Sequence, residues 1–219
     1  MTPELVLFDL DGVVVDSETL SIASLIDALA PLGLHLTPDE ARRQWLGMSW
    51  PDLFGTIERR LGRPLPEGFG DRVIAAERAR FETELRAIPG AEALLDALAA
   101  AGVRRCVASS ETVEGIELKL RVTGLRGHFD GGLYSADMVE KGKPAPDLVR
   151  HAARSEGVAP AACVVIEDAP FGVMGAVAAG MRAIGYAGDA HAHPQALSDA
   201  GAEVVTSMAE VPGLLGIPG

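Results

Sequence analysis

Cysteine is almost missing from this chain: two in 219 residues, Cys106 and Cys163. Each lies inside a short apolar run that reads as a buried strand, which excludes a disulfide framework and a zinc cluster and fits a reducing compartment. Lysine is nearly as scarce. Lys119, Lys141 and Lys143 are the only three among nineteen basic residues, against thirty-one acids, for a formal net charge of -12. That balance argues against a nucleic-acid footprint and against an anionic membrane surface as partner. Nowhere do 18 apolar residues follow one another, and Glu4 and Asp9 interrupt the N-terminal stretch where an export signal would need an unbroken apolar segment. We therefore expect a cytoplasmic protein. Internal repeats and low-complexity linkers are missing too. A monomer is expected, although no apolar stripe stands clear of the expected core faces to fix the oligomeric state.

What is present is ample core material, 48% hydrophobic residues, arranged in a recurring order. LVLF (5–8), RCVAS (105–109), LYS (133–135), ACVVIE (162–167), RAIGY (182–186) and AEVVTS (202–207) read as strands. GAEALLDALAAAG, ETVEGIELKLRVTG, PAPDLVRHAARSEG and PFGVMGAVAAG have helical character, each closed by the glycine expected just past a helix end. Strands alternating with helices predict an α/β fold, a Rossmann-like doubly wound parallel sheet. Residues 17–86 break the alternation. They hold only helical stretches, with Thr37, Pro38 and Glu40 reading as an N-cap, a first-turn proline and a capping-box acid. We expect a small all-helical domain (17–86) inserted into a core domain formed by 1–16 and 87–219.

In an open parallel sheet, ligands bind at the carboxyl ends of the strands. Asp9 ends the first strand and Asp11 follows it; Ser109 ends the second; a loop carrying Lys143 follows another; Glu167 and Asp168 end a fourth. Acids this close repel one another unless something positive sits among them. An aspartate can act as nucleophile on a phosphoryl group provided that it stays ionised and the anion can approach. Mg²⁺ held by Asp9, a carbonyl near Asp11 and Asp168, with Lys143 as a second positive charge and Ser109 as hydrogen-bond donor, meets both conditions.

Four ordered stretches, DLDGVVVDSE, VASS, KGKPAPD and VVIEDAPFGVMGAVAAG, resemble the motifs of the haloacid dehalogenase superfamily, in its subfamily with a helical cap after the first motif. The resemblance covers essentially the whole chain. It implies that Asp9 is the nucleophile and Asp11 the general acid/base, that Ser109 and Lys143 bind phosphate, and that Glu167 and Asp168 complete an Mg²⁺ site with Asp9 and Asp11. Ser110, Glu18, Gly47 and Trp50 are further candidates for substrate contact. The implied partner is a small phosphorylated metabolite, handled under a cap that closes over the crevice.

Local residues separate the chemistries of this superfamily. Dehalogenases lack the second aspartate of the first motif, which is present here as Asp11. Phosphonate hydrolases use a cap lysine, and no lysine falls within the insert. Sugar phosphomutases carry cap His, Lys and Arg at positions that correspond here to Ser21, Leu46 and Trp50. The LGMSWPDLF and ELRAIPGAEALLDAL stretches instead resemble bacterial sugar-phosphate phosphatases related to 6-phosphogluconate phosphatase. The alternatives are a phosphomutase and a non-catalytic regulator that binds a phosphorylated ligand. Asp16 or Ser17 either caps the first helix of the insert or serves the site. His191 and His193 read as an exposed loop rather than a metal site, and Trp45 as core packing.

Overall fold

The computed structural model describes residues 2–45, 50–189 and 192–218, with the side chains of Trp50 and Pro51 left out. Six strands form one sheet: β1 (Leu5–Phe8), β2 (Arg104–Ser109), β3 (Leu133–Ser135), β4 (Cys163–Glu167), β5 (Arg182–Tyr186) and β6 (Glu203–Val205). They run in the order β3-β2-β1-β4-β5-β6 with every pair parallel. The expected α/β sheet is thus present, with strand ends within two residues of the sequence reading. Strand β1 is wholly buried, as a central parallel strand covered on both faces must be, and that is why LVLF is continuously apolar rather than alternating.

The helices that cover the sheet include α5 (Ala91–Ala100), α6 (Val113–Val122), α7 (Asp147–Ser155), α8 (Pro170–Ala178) and α9 (Pro194–Asp199), with α10 (Val211–Leu215) near the C-terminus. Helix α7 shows how the sequence dictates this packing. Leu148, Val149, Ala152 and Ala153 are buried at helical spacing while Arg150 and Arg154 face outward, a stripe wide enough to sit on a sheet. Leu5 and Leu7 of β1 share one core with these residues and with Val173 and Ala176 of α8. On the alternate side of the strand, Phe8 packs edge-on against Phe129, with ring centroids 5.8 Å apart.

By its internal contacts the chain divides into two compact units, residues 1–16 with 86–219, and residues 17–85. Arg86 falls with the first unit because the chain leaving β1 and the chain returning to it pair there. The Asp16 amide donates to the Arg86 carbonyl at 2.9 Å and the Ile88 amide to the Val14 carbonyl at 2.9 Å. This small antiparallel bridge accounts for the apolar run between the acids: Val13, Val14 and Val15 are completely buried.

The second unit is all-helical among its described residues: α1 (Glu18–Leu29), α2 (Pro38–Trp45), α3 (Trp50–Leu61) and α4 (Phe69–Glu84). Its own core joins Leu25, Leu29, Leu34, Trp45, Ile57 and Phe69 among others, so Trp45 is a packing residue as expected. The Thr37 capping box is present as well. The Glu40 carboxylate accepts the Thr37 amide at 2.8 Å, and the Thr37 hydroxyl accepts the Glu40 amide at 3.3 Å. Ser17 occupies the N-cap position of α1, and its carbonyl accepts the Ser21 amide at 2.9 Å. Asp16 is exposed. Among the described residues no helix is long and apolar enough to cross a membrane.

Candidate active site

The strand order reverses about β1. From it the chain builds outward to β2 and β3 on one side and to β4, β5 and β6 on the other, so the switch point lies between β1 and β4. Crevices open at the carboxyl ends of strands at such points. Asp9 is the first residue past β1, and its amide donates to the Ile166 carbonyl of β4 at 2.9 Å. That bond holds it level with Glu167 and Asp168 at the end of β4. The three carboxylates each offer an oxygen within 4.8 Å of the others.

Lys143, from the loop before α7, answers this concentration of charge. Its ammonium donates to the carboxylates of both Asp9 and Glu167, and all three side chains are nearly closed off from solvent. Burial pushes the Asp9 carboxyl up to about 7; the Lys143 charge works against that rise, while Glu167 and Asp11 add to it. For Lys143, burial alone favours the neutral amine. The two carboxylates prevail, and its affinity for the proton is raised above that of an ordinary lysine.

Two glycines make room for this arrangement. Gly12, which sits in the left-handed region with φ 77°, has Asp168 where a side chain would stand: a Cβ on Gly12 would lie 2.0 Å from Oδ2 of that aspartate. A Cβ on Gly172 of α8 would lie 1.7 Å from Oε1 of Glu167. The other oxygen of Glu167 accepts the Ala169 amide at 2.9 Å. Glu167 is therefore held from two sides, by Lys143 and by the start of α8, whereas Asp168 is only half-buried and faces Gly12.

Asp11 faces a second cation. Its carboxylate Oδ1 accepts a hydrogen bond from the Lys119 ammonium at 2.7 Å, and the same ammonium donates to Oε2 of Glu111 at 2.9 Å. Ser109 is buried at the end of β2, and its hydroxyl accepts the Glu111 amide at 3.1 Å; Ser110 beside it is exposed. Asp9, Asp11, Ser109, Lys143, Glu167 and Asp168 thus come together on one rim of the first unit. Sequence reasoning missed Lys119 and Glu111, which carry no motif of their own. Their only signal was a lysine on a helix face otherwise occupied by Ile116 and Leu120.

Other expected residues fall elsewhere. Glu18 opens α1 in the helical unit. Gly47, the side chain of Trp50 and His191 lie outside the described residues, as does Leu46. His193 is exposed just before α9, and Lys141 is exposed. In the helical unit the Ser21 hydroxyl donates to the Glu77 carboxylate.

The donor set of Asp9, Glu167 and Asp168 consists solely of carboxylate oxygens, which suits a hard divalent cation such as Mg²⁺ and not a thiophilic metal.

Comparison with known proteins places the chain in a family. The family model described as haloacid dehalogenase-like hydrolase matches residues 6–186. The 6-phosphogluconate phosphatase of Escherichia coli K12 is 30% identical over 192 residues, covering 87% of this chain and 86% of that protein. Among solved structures, a HAD family hydrolase from Deinococcus radiodurans R1 with bound phosphate and sodium has a TM-score of 0.87 at 35% identity, covering 98% and 96% of the two chains. A protein from Thermotoga maritima described as a putative beta-phosphoglucomutase has a TM-score of 0.84 at 26% identity, covering 97% and 98%. On these grounds the chain belongs to the haloacid dehalogenase-like hydrolases, as an enzyme of their phosphatase type.

Proposed function

We propose that this protein is a Mg²⁺-dependent phosphomonoesterase of the cytoplasm. Its substrate is a small phosphorylated metabolite, a sugar or sugar-acid phosphate, with 6-phosphogluconate the first candidate from the relative of that name. The observation that carries the reading is that the two aspartates of the first motif pair with different lysines. Asp9 sits with Lys143 in the acidic trio, and Asp11 is turned to a different cation, Lys119. One carboxylate is thereby suited to attack phosphorus and the other to move protons.

On this reading an oxygen of Asp9 bonds to phosphorus as the bond to the leaving oxygen breaks, and Asp11 supplies the proton that the departing alkoxide needs. Asp11, now ionised, takes a proton from water as the water oxygen attacks the aspartyl-phosphate, which returns Asp9 as a carboxylate and releases phosphate. Lys143 holds Asp9 in place and offsets charge; Ser109 donates to a non-bridging oxygen. Asp9 and Asp168, with the backbone carbonyl of Asp11, would hold the cation, which would supply charge neutralisation at the phosphoryl group. Glu167, already engaged by Lys143 and the Ala169 amide, positions Lys143 rather than binding the cation directly. The helical unit serves as the cap that excludes bulk water and selects the substrate.

The experiment is phosphate release from a panel of phosphorylated metabolites, with and without Mg²⁺, for the wild type and Asp9→Asn. We expect Mg²⁺-dependent release that falls roughly a thousandfold or more in the variant. Full turnover by Asp9→Asn overturns the scheme. Conversion of a sugar phosphate to its isomer without phosphate release points to a mutase instead.

A further inference from the structure

We propose that Lys119 is a positioning residue for the proton-transfer carboxyl of Asp11, and that Glu111 anchors it. The proposal rests on the phosphatase reading above. Lys119 sits on α6, between Ile116 and Leu120, both completely buried, and is itself only 5% exposed. An apolar side chain at that position would pack at no electrostatic cost, whereas a buried ammonium must recover its lost hydration from partners. Here it has them: Oδ1 of Asp11 at 2.7 Å and Oε2 of Glu111 at 2.9 Å.

Glu111 is in turn held by its own loop. Its Oε1 accepts the Thr112 amide at 2.8 Å and the Thr112 hydroxyl at 3.2 Å, and its amide donates to the Ser109 hydroxyl at 3.1 Å. One line of contacts therefore runs from Ser109 through Glu111 and Lys119 to Asp11. It ties the residue expected to meet phosphate to the residue expected to move the proton.

The chemistry of this contact is specific. An ammonium is a donor only, so the Asp11 oxygen it touches accepts, and a protonated Asp11 favours its proton on the other oxygen. Oδ1 is thus the anchored oxygen, and Oδ2 is the one that handles the proton. As the ester P–O bond breaks, Oδ2–H passes its proton to the leaving oxygen; in the second half-reaction Oδ2 receives a proton from water as the water oxygen bonds to phosphorus. Removing Lys119 takes away the contact that fixes Oδ1. Proton transfer then loses its geometry while Asp9, the nucleophile, keeps its own lysine.

Leaving-group dependence tests this. An alkyl phosphate such as glycerol phosphate leaves as a strongly basic alkoxide and needs the proton, whereas p-nitrophenyl phosphate leaves as a stable anion and needs it far less. kcat/KM reports only the steps up to transfer of the phosphoryl group. Lys119→Met is expected to lower kcat/KM for glycerol phosphate by about a hundredfold, the range of a general acid's contribution, and by at least tenfold less for p-nitrophenyl phosphate.

An equal loss on both substrates, or no loss on either, overturns the proposal and leaves the phosphatase reading standing. Should the wild type release phosphate from no substrate, the phosphatase reading itself fails and this proposal falls with it. If Lys119→Met does not fold, as judged by circular dichroism, Glu111→Gln decides. It leaves the lysine in place with a weakened anchor and is expected to show the same substrate asymmetry to a smaller degree; symmetric kinetics there overturn the proposal.

Discussion

Asp9, Lys143 and Glu167 form a closed charge network in which each group is held by another, and the residues that allow it are partly those without side chains. Gly172 is the sharpest instance. Its helix passes so close to Glu167 that a methyl group would occupy the space of the carboxylate, and Glu167 cannot step aside without releasing Lys143 and the Ala169 amide. Gly172→Ala is therefore expected to cost about 1–3 kcal/mol in unfolding free energy, the range for overpacking a tight interior. Urea denaturation measures it, and unchanged stability would show that Glu167 moves freely. The acids of this network were legible in the sequence because they stand directly after apolar strands. Lys119 was not, since its partner Asp11 is 108 positions away and nothing local in ELKLR announces an ion pair.

Four helix ends and the start of α2 follow capping chemistry read from the sequence. Gly102, Gly124, Gly157 and Gly180, expected past four helix ends, all have positive φ. The Thr37 capping box gives α2 a start that depends on pH. The Thr37 amide and hydroxyl both donate to the Glu40 carboxylate and hold its pKa below the usual glutamate value. A carboxylate depressed in the folded state contributes stability that is present above its unfolded pKa and is lost as pH falls through the folded one. Glu40→Gln is accordingly expected to melt below the wild type at neutral pH, with the gap closing as acid protonates Glu40. Thermal unfolding by circular dichroism across pH 3–7 checks this, and a gap independent of pH would refute it. The Val13–Val15 run was not legible as an element, because its pairing with the returning chain near Arg86 joins segments some seventy positions apart.

At the scale of the whole molecule, the proposed cation binding would be coupled to stability through Asp9. With its carboxyl raised to about 7, the metal-free folded state holds a proton that the unfolded chain has already released, so the contribution of Asp9 to stability falls as pH rises from about 4 to about 7. Mg²⁺ requires the ionised carboxylate and stabilises whatever state binds it. Added Mg²⁺ is therefore expected to raise the melting temperature more at pH 7.5 than at pH 5.5. Chelation should abolish phosphate release while leaving the far-ultraviolet spectrum intact, because the core that joins Leu5, Leu7, Leu148, Val165 and Val173 is built from apolar side chains. Thermal shift with and without EDTA tests both statements, and loss of the fold on chelation would contradict them.

The sequence alone was enough for the class of the fold and for the polar residues expected at the strand ends. Buried parallel strands must be continuous apolar runs, their carboxyl ends are where a doubly wound sheet exposes polar groups, and DLDG, VASS, KGKP and IED fall there in order. Tertiary structure decided how those groups divide their work. The side chains that surround a carboxylate are set by which loops the sheet brings together, and only that arrangement assigned Lys143 to Asp9 and Glu167, and Lys119 to Asp11 and Glu111.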